Sequence, residues 1–378
     1  MKIGILGGTF NPIHKGHIKL AEKVKGDLNL DQVWLIPTHK TPDKIFSVER
    51  ISSKHRYNIT KEAVKKTKHK WLKVKDIEIK NKGISYTWKT ISQIKNARPT
   101  DELFFIMGDD RYLGFESWEN SDMIKEQATI VVVNRDYGGD YDFNEEGVVH
   151  IKDFDFPISS SKTLERRDWN NIPSGAKEYI SKHNLYLKSI VFNTLKENRY
   201  QHSVSVASHS KRLAKRNFFR KWKDAELAGL IHDLFKLDDI KMQVDYITDN
   251  TEWELPPQPA LHGYAAAIWL EKEYGIKNKG ILRAVKNHTL ARPGMTKIEK
   301  IVFVADKISS DRKGHFYGRR RKLAYYNLNL TYKKILKETI DKLESKGIEP
   351  HPLTIAAYNE VAKPSKQKTL KENKKYEK

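Results

Sequence analysis

The sequence predicts two folds in succession, an α/β domain with a doubly wound parallel sheet and then an all-helical domain. Buried apolar runs at residues 3–6, 32–37 and 129–133 alternate with helical patterns over the first half of the chain. Between Leu185 and Asn198 this alternation stops, and only helical patterns follow. A length of 378 residues is enough for two domains that each bury a core.

The amino-acid composition indicates which ligands, metal sites and cellular compartment suit the protein. Lysine and arginine number 70 against 48 aspartates and glutamates, which gives a net charge of +22. This field attracts nucleotides, polyphosphates and nucleic acid alike, although a general lysine bias of the genome would give the same balance. Because there is no cysteine, disulfides and thiolate metal ligands are excluded. The chain also lacks a long apolar run and a signal-peptide pattern, so we expect a cytoplasmic protein with no membrane partner.

The first strand leads into a turn that suits an anion. Gly7 and Gly8 end the strand, and a helical pattern begins shortly afterwards. Glycines let backbone N–H groups approach a phosphate closely, and the N-terminus of a helix adds donors and the positive end of its dipole. His14 and His17 are three residues apart, so both rings lie on one face at that terminus. Two imidazoles there can bind and neutralise phosphate oxygens.

The string Leu-Gly-Gly-Thr-Phe-Asn-Pro-Ile-His-Lys-Gly-His at residues 6–17 resembles the nucleotidyltransferase superfamily with its His-x-Gly-His signature. Its Gly-Gly-Thr-Phe-Asn-Pro lead-in is similar to that of nicotinate-nucleotide adenylyltransferases. It is neither a Walker A loop nor a dinucleotide fingerprint. The resemblance covers residues 1–187 and implies a Rossmann-like sheet, with His14 and His17 as catalytic residues. It further implies transfer of AMP from ATP to nicotinate mononucleotide with Mg²⁺, giving deamido-NAD and pyrophosphate.

Later segments of this half supply further candidate ligands. Lys40 follows the strand 32–37, and Gly108 with Asp110 follows the central strand 103–107, where loops of a parallel sheet form a crevice. Asp110 could contact ribose or hydrated Mg²⁺, or could cap a helix. The family resemblance places Tyr86 and Thr87 in the nicotinate pocket and Trp118 against the nicotinate ring. The candidate ATP- and substrate-binding residues are Gly7, Gly8, Thr9, Phe10, Lys40, Tyr86, Thr87, Gly108, Asp110, Trp118, Arg135, Ser159, Ser160 and Ser161.

The serine cluster Ser159–Ser161 departs from the family pattern Ile-Ser-Ser-Thr-x-Ile-Arg. We expect these serines to cap a helix and to offer donors to ATP phosphates. Leu164 stands where the family has arginine, so Arg166 and Arg167 are the candidates to replace it. Among the secondary structure elements, residues 52–63 predict a capped helix, and the alternation over residues 71–79 predicts a half-exposed strand.

The helical half carries an adjacent pair, His232 and Asp233, in an apolar helical pattern over residues 226–235. Burying an imidazole beside a carboxylate is costly unless both have partners, and a metal ion would supply one. Further polar residues lie in or beside apolar helices: His202, His262, His288 and Asp306. Such ligands can converge inside a helical bundle and suit iron, manganese or zinc. Each histidine taken alone would equally suit a satisfied core residue.

The order His…His-Asp…Asp resembles the HD phosphohydrolase superfamily over residues 190–320. The added histidines, with Arg-Pro-Gly-Met at residues 292–295, are similar to symmetrical diadenosine-tetraphosphate hydrolases. The resemblance implies hydrolysis to two ADP at a binuclear site with two transition-metal ions, expected to be iron, with manganese or zinc as alternatives. It assigns Asp233 as the catalytic bridge between two sets of ligands, namely His202, His232 and Asp306, and His262 and His288. Lys236 and Arg292 lie near these ligands in sequence and would neutralise the polyphosphate.

These patterns predict domains at residues 1–187 and 188–345 and a basic tail at residues 346–378. The tail is expected to be disordered, because its last sixteen residues hold seven lysines. Nucleic acid binding by the tail is possible but not favoured. Pantetheine phosphate or nicotinamide mononucleotide is the alternative acceptor for the first domain. Guanosine tetraphosphate, cyclic dinucleotides, or a sensor or nucleic-acid-binding role are the alternatives for the second, and the oligomeric state is not predicted.

Overall fold

The structure is a computed structural model, and it describes residues 1–41, 51–134, 146–154 and 158–362. It divides into two compact units. The first unit contains Met1–Thr194 together with Glu273–Gly275, and the second contains Leu195–Lys272 together with the chain from Ile276 onward. Two of the sequence predictions, the phosphate contact of Arg135 and the disorder of residues 363–378, lie outside the described residues.

The first unit is built on a six-stranded sheet in the order β3-β2-β1-β4-β5-β6, with every neighbouring pair parallel. The strands are β1 (Lys2–Gly8), β2 (Gln32–Pro37), β3 (Leu72–Val74), β4 (Glu102–Gly108), β5 (Thr129–Val133) and β6 (Val148–Ile151). The chain order reverses between β1 and β4, and open α/β sheets bind ligands at such a switch point. The predicted doubly wound parallel sheet is confirmed.

The α-helices of this unit connect the strands and extend beyond the sheet. They are α1 (Lys15–Asp27), α2 (Ser53–Lys65), α3 (Ile77–Asn81), α4 (Thr87–Ala97), α5 (Asp109–Tyr112), α6 (Ser121–Gln127), α7 (Ser174–Lys182) and α8 (Leu187–Thr194). The predicted cap of α2 is present, because the Ser52 hydroxyl accepts a hydrogen bond from the His55 backbone N–H at 3.3 Å.

The strand predicted over residues 71–79 is wrong for its second half. Strand β3 ends at Val74, and helix α3 begins at Ile77. The alternation misleads because the buried residue there is Glu78. Its carboxylate accepts a hydrogen bond from the Thr90 hydroxyl at 2.9 Å, which offsets part of the cost of burying a polar group.

The second unit is helical, as predicted. Its α-helices are α9 (Glu197–Arg216), α10 (Trp222–Ile231), α11 (Ile240–Asn250), α12 (Leu261–Trp269), α13 (Lys279–Lys286), α14 (Lys297–Ile308), α15 (His315–Tyr326), α16 (Leu328–Glu344) and α17 (Pro352–Ala362). Helices α9 and α10 approach closely at Gly229, where an added Cβ would lie 2.6 Å from the Ser210 hydroxyl. In the described part of the chain, every helix is too short or too polar to cross a membrane.

Two sequence predictions for this unit need correction. The His232-Asp233 pair does not lie within a helix, because α10 ends at Ile231 and the pair forms the turn that follows. The His232 ring donates through Nδ1 to the Gly229 carbonyl at 2.8 Å, a group that the end of the helix leaves without a backbone partner. The disordered tail predicted from residue 346 is wrong for α17, which packs against α16 and buries Thr354 and Ala357.

Candidate functional sites

A cleft of about 710 Å³ in the first unit is lined by residues at the carboxyl ends of β1, β2 and β4. It brings together most of the residues that the sequence predicts for ATP and substrate. These are Gly7, Gly8, Thr9, Phe10, His14, His17, Tyr86, Thr87, Gly108, Asp110, Trp118, Ser159, Ser160 and Ser161. Lys40 is exposed and is not among the residues that line the cleft.

The two histidines of the signature lie at the start of α1. His14 is the N-cap residue, and its backbone N–H donates to Nδ1 of His17 at 3.2 Å. The two ring centroids are 3.7 Å apart, and Phe10 packs edge-on against His17 at 4.9 Å. Because Nδ1 of His17 accepts a hydrogen bond, the proton of its neutral ring is on Nε2. The ring is therefore held as a hydrogen-bond donor at the N-terminus of a helix.

Arg56 organises the loops of this cleft, and sequence reasoning missed it. The side chain is buried on α2 and donates to the carbonyls of Thr9, Thr38 and His39 at 2.5, 2.7 and 3.0 Å. These hydrogen bonds join the loop after β1 to the loop after β2. The sequence does contain a signal for this role. Arg56 lies on the same helical face as the apolar residues Ile59 and Ala63, which favours burial of the arginine.

The remaining polar lining differs from expectation around the serine cluster. Ser161 is followed by a three-residue 3₁₀-helix, Lys162–Leu164, rather than by an α-helix. The Ser159 hydroxyl accepts a hydrogen bond from the Lys162 backbone N–H at 3.3 Å, so a serine caps this short turn and not the full helix that the sequence predicts. The Ser160 hydroxyl donates to the Pro12 carbonyl at 3.0 Å, which fixes the cluster against the glycine turn. Arg166 does not line the cleft, whereas Arg111 does. Arg111 is thus a cleft cation that the sequence pattern did not indicate.

Glu78 adds a buried carboxyl group to the cleft lining. Burial raises the pKa of Glu78, and the hydrogen bonds from Ser85 and Thr90 only partly offset this effect. The group therefore carries less negative charge than an exposed carboxylate at the same pH. A cleft that binds phosphates gains from this arrangement, because repulsion from a carboxylate is reduced.

In the second unit, six predicted ligands lie close together inside the helices. Two overlapping groups form, His202 with His232 and Asp233, and Asp233 with His262 and His288. Within each group the candidate ligand atoms lie within 4.8 Å of one another. Asp233 belongs to both groups, with Oδ1 at 3.2 Å from Nε2 of His262 and Oδ2 at 3.9 Å from Nε2 of His202. The arrangement offers two adjacent cation positions that share one carboxylate.

Asp306 completes the first group from α14. Its Oδ1 lies 3.1 Å from Nε2 of His202 and 4.0 Å from Nε2 of His232. The Lys307 ammonium lies 2.5 Å from Oδ2 of Asp306, and the Arg312 guanidinium lies 3.7 Å from Oδ1. The six residues come from segments that are far apart in the sequence, and the fold collects them into one buried cluster.

Three of the histidines are oriented by a hydrogen bond from Nδ1, the ring nitrogen that points away from the cluster. Nδ1 of His232 and Nδ1 of His288 donate to the carbonyls of Gly229 and Val285 at 2.8 and 2.7 Å. Nδ1 of His202 lies 3.1 Å from both carboxylate oxygens of Asp311. For His232 and His288 the proton is therefore on Nδ1, so Nε2 presents a lone pair to the cluster. His202 faces carboxylates with both ring nitrogens, because its Nε2 lies 3.1 Å from Oδ1 of Asp306. Among the described residues, Nε2 of His232 is buried without a hydrogen-bond partner, which is the environment that a metal ion would satisfy.

The electrostatic environment of the cluster favours the protonation states in which histidine and aspartate bind metal ions. Burial lowers the pKa of His232 to about 4 and also lowers the pKa of His262 and His288. For Asp233, burial alone would raise the pKa, but the neighbouring histidines outweigh it and hold the pKa well below its usual range. At neutral pH His232, His262 and His288 are therefore neutral and Asp233 is ionised, which are the forms that bind metals. His202 differs, because burial lowers its pKa but the neighbouring carboxylates raise it overall.

The two cations predicted near this cluster differ in their surroundings. Lys236 is half-exposed. Burial lowers the pKa of His262, and the positive charge of Lys236 contributes to this lowering. Arg292 instead donates to the buried Glu299 carboxylate at 2.8 Å, and its role as a polyphosphate contact stays a prediction. Sequence reasoning missed Asp311, the partner of His202, because no local pattern marks an aspartate just beyond the end of α14. His209 contacts Tyr325 and Ser310 rather than the candidate ligands.

Comparisons with known proteins divide the chain in the same way. Residues 5–166 match the cytidylyltransferase-like family, and residues 199–311 match the HD domain family. A Borrelia hermsii protein named "Probable nicotinate-nucleotide adenylyltransferase" is 38% identical over 193 residues, which covers 50% of this chain and 99% of that protein. A solved Clostridium acetobutylicum structure, "predicted HD superfamily hydrolase involved in NAD metabolism", is 30% identical over 47% of this chain and 95% of its own, with a TM-score of 0.44.

Some relatives span both units. A Mycoplasma genitalium protein named "Probable nicotinate-nucleotide adenylyltransferase/Ap4A hydrolase" is 30% identical over 349 residues, which covers 89% of this chain and 97% of the relative. This match confirms both resemblances that the sequence motifs predict. The chain therefore belongs to the family of nicotinate-nucleotide adenylyltransferase/Ap4A hydrolases, in which a cytidylyltransferase-like domain precedes an HD domain.

Proposed function

We propose that residues 1–187 transfer AMP from ATP to nicotinate mononucleotide and that residues 188–345 hydrolyse diadenosine tetraphosphate to two ADP. The observation that carries the first activity is the cleft that collects the His-x-Gly-His signature, the glycine turn and the serine cluster. The observation that carries the second is the pair of overlapping ligand groups that share Asp233. The name of a relative that spans both units agrees with this assignment.

In the first reaction, a phosphate oxygen of nicotinate mononucleotide attacks the α-phosphorus of ATP, and pyrophosphate leaves. No covalent intermediate with the chain is required, so the chain contributes position and charge stabilisation. The Nε2–H of His17, the backbone N–H groups around Gly7 and Gly8, and the serine cluster donate hydrogen bonds to phosphate oxygens. Mg²⁺ would enter the cleft with ATP and add positive charge. The nucleotide phosphates would hold it there, because among the described residues both groups of candidate metal ligands lie in the second unit.

The nicotinate ring is proposed to stack on Trp118. This side chain is half-buried, and its indole is held edge-on by Phe115 at 5.5 Å and Phe105 at 6.3 Å between ring centroids. The rings behind Trp118 fix its plane and leave part of the indole facing the cleft. Tyr86 and Thr87, at the start of α4, line the same cleft and would contact the acid group of the substrate.

The acceptor is tested by pyrophosphate release from ATP with one acceptor at a time. Nicotinate mononucleotide should give the highest kcat/KM, ahead of nicotinamide mononucleotide and phosphopantetheine. Trp118→Ala should raise KM for nicotinate mononucleotide much more than KM for ATP. Trp88→Ala is the matched control, because Trp88 is also a half-buried tryptophan beside this core but does not line the cleft. Preference for another acceptor would contradict the proposed substrate.

In the second reaction, the six ligands would hold two divalent transition-metal ions, which we expect to be iron, with manganese or zinc as alternatives. Such ions supply Lewis acidity toward a phosphate and a water molecule. The chain itself keeps His232 and His288 neutral and oriented, and it shields the cluster by burial. Arg199, Lys307 and Arg312 contact the cluster carboxylates and are partly exposed, so they are placed to neutralise a polyphosphate.

The substrate of the second reaction is tested by chromatography after incubation of the metal-loaded protein with single nucleotides. Diadenosine tetraphosphate should be consumed to ADP as the sole product, faster than guanosine tetraphosphate or a cyclic dinucleotide. The His17→Ala variant serves as the control, because it alters only the adenylyltransferase site and should hydrolyse at the wild-type rate. AMP and ATP as products, or a preference for another nucleotide, would contradict the proposal.

A further inference from the structure

A strongly basic surface on the second unit is unused by either proposed reaction. It comprises residues 211–223, at the end of α9 and the start of α10, and residues 313–326, which include α15. Neither segment contains an aspartate or glutamate. Nine of their cations are exposed and, among the described residues, form no ion pair: Arg212, Lys215, Arg216, Arg220, Lys221, Lys223, Lys313, Arg319 and Lys322. We call this the basic-aromatic surface.

Aromatic rings lie between these cations and link the two segments. Helix α9 packs against α15, and the Arg212 guanidinium lies 5.0 Å from the ring centroid of Tyr325. On the other side, the Lys215 ammonium lies 4.5 Å from the ring of Trp222. The exposed large apolar side chains of the two segments are all aromatic, namely Phe218, Phe316 and Tyr326. Cations and aromatic rings therefore form one continuous surface.

Phe218 has no evident role in folding. Its side chain is 92% exposed, and its backbone is left-handed with φ of +53°. It occupies the position after the cap of α9 in a Schellman motif, since Phe218 N–H donates to Lys215 O at 3.2 Å and Phe219 N–H to Ala214 O at 2.8 Å. That position favours glycine, so a phenylalanine there costs backbone strain and exposes a ring to water.

We propose that the basic-aromatic surface binds single-stranded nucleic acid. The exposed cations would contact successive phosphates, and Phe218 and Tyr326 would stack on unpaired bases. A duplex keeps its bases paired and would leave these projecting rings without a stacking partner. A lipid surface is less well matched, because a membrane-surface helix presents one wide apolar face, whereas the exposed rings here are few and are separated by cations. The proposal adds a macromolecular ligand to a family named for nucleotide chemistry.

The test is fluorescence anisotropy of the full chain with a labelled oligouridylate of about 20 nucleotides, titrated at several salt concentrations. Uridylate avoids competition from the two adenine nucleotide sites. Phe218→Gly should weaken binding by about tenfold through loss of stacking. Because glycine suits the left-handed backbone, the melting temperature of this variant should be unchanged or higher. A weaker complex from a protein that is at least as stable separates a binding role from a structural one.

The charge contribution is tested with a matched pair of double variants. Arg220→Gln with Lys221→Gln should weaken binding and reduce the slope of log affinity against log salt by about 1.4. Lys241→Gln with Lys277→Gln changes the net charge equally at two exposed lysines outside the surface and should leave affinity and slope unchanged. Equal losses in both pairs would overturn the proposal in favour of general electrostatic attraction. Binding to phosphatidylserine vesicles that needs Phe218, without binding to oligouridylate, would also overturn it.

Discussion

The cleft of the first unit and the ligand cluster of the second are complementary to opposite charges by different means. The cleft presents N–H and O–H donors around the glycine turn and the His17 ring, so it is complementary to phosphate oxygens. The cluster presents lone pairs of neutral imidazoles and two ionised carboxylates, so it is complementary to cations. The first site combines backbone groups of the glycine turn with side chains, whereas the second is made entirely of buried side chains.

This difference determines how each site should fail when it is altered. A site that is built partly on backbone groups keeps much of its geometry when one side chain is removed, and the main loss is the transition-state contact of that side chain. A cluster of buried charges depends on mutual compensation, so removing one member leaves the others unpaired. Substitutions in the cleft should therefore affect rate, and substitutions in the cluster should affect metal content and stability together.

The largest effect on rate is expected for His17→Ala. Loss of its Nε2–H donor should lower the adenylyltransferase kcat by about 10²–10³-fold, the range measured for single transition-state donors. The melting temperature should hardly change, and the hydrolase activity should match that of the wild type. Steady-state pyrophosphate release checks the rate. A near-normal kcat would remove His17 from the proposed mechanism.

The cluster should make the stability of the metal-free protein depend on pH. Because burial lowers the pKa of His232 from 6.5 to about 4, the unfolded chain takes up a proton at a higher pH than the folded chain does. Stability is therefore lost as pH falls from 6.5 toward 4, by up to about 3 kcal/mol from this residue. Denaturant titrations of chelator-treated protein measure this. His232→Phe should show a shallower dependence over the same interval.

His202 acts in the opposite direction and refines that test. Burial opposes its charged form, but the hydrogen bond with Asp306 and the nearby carboxylates raise its pKa overall. Its contribution is therefore fully present below pH 6.5 and is lost as pH rises through the raised value. A stability that is constant between pH 4 and 6.5 would contradict the picture of imidazoles that are buried in the neutral form.

A smaller effect is expected for Asp311, which orients His202 from outside the cluster. Asp311→Ala should weaken metal binding at the first group by about 10–100-fold, as for other residues that support a metal ligand. Asp311→Asn keeps a hydrogen-bond acceptor and should recover part of the affinity. Competition with a chelator of known affinity provides the measurement. Unchanged affinity in the alanine variant would show that the Gly229 and Val285 carbonyls provide enough orientation for the cluster.

The same comparison explains what the sequence could and could not predict. The glycine turn and the two histidines of the cleft occupy one continuous stretch, so their chemistry could be predicted from their spacing. The ligands of the cluster are spread over the second half of the sequence, so their spacing alone does not predict a site. They were predicted only because their order resembles that of a known family. Arg56 and Asp311 were missed, because their partners are carbonyls and a ring nitrogen supplied by distant segments.

The errors in secondary structure have related causes. The alternation over residues 71–79 predicts that Glu78 is on the exposed side of a strand, yet it is buried against Thr90 on the neighbouring helix. The lysines of the last sixteen residues predict a disordered tail, but helix α17 precedes them and packs against α16. In both cases tertiary contacts, which local patterns do not contain, decided the structure.

The central claim is that one carboxylate joins two cation positions in the second unit, and metal analysis tests it most directly. Mass spectrometry of the purified wild type should find two transition-metal ions per chain, one for each ligand group. His262→Ala should keep one ion, and Asp233→Ala should keep none while circular dichroism shows its helices intact. A wild type with a single ion, or an Asp233→Ala variant that retains both ions, would contradict the shared-carboxylate site.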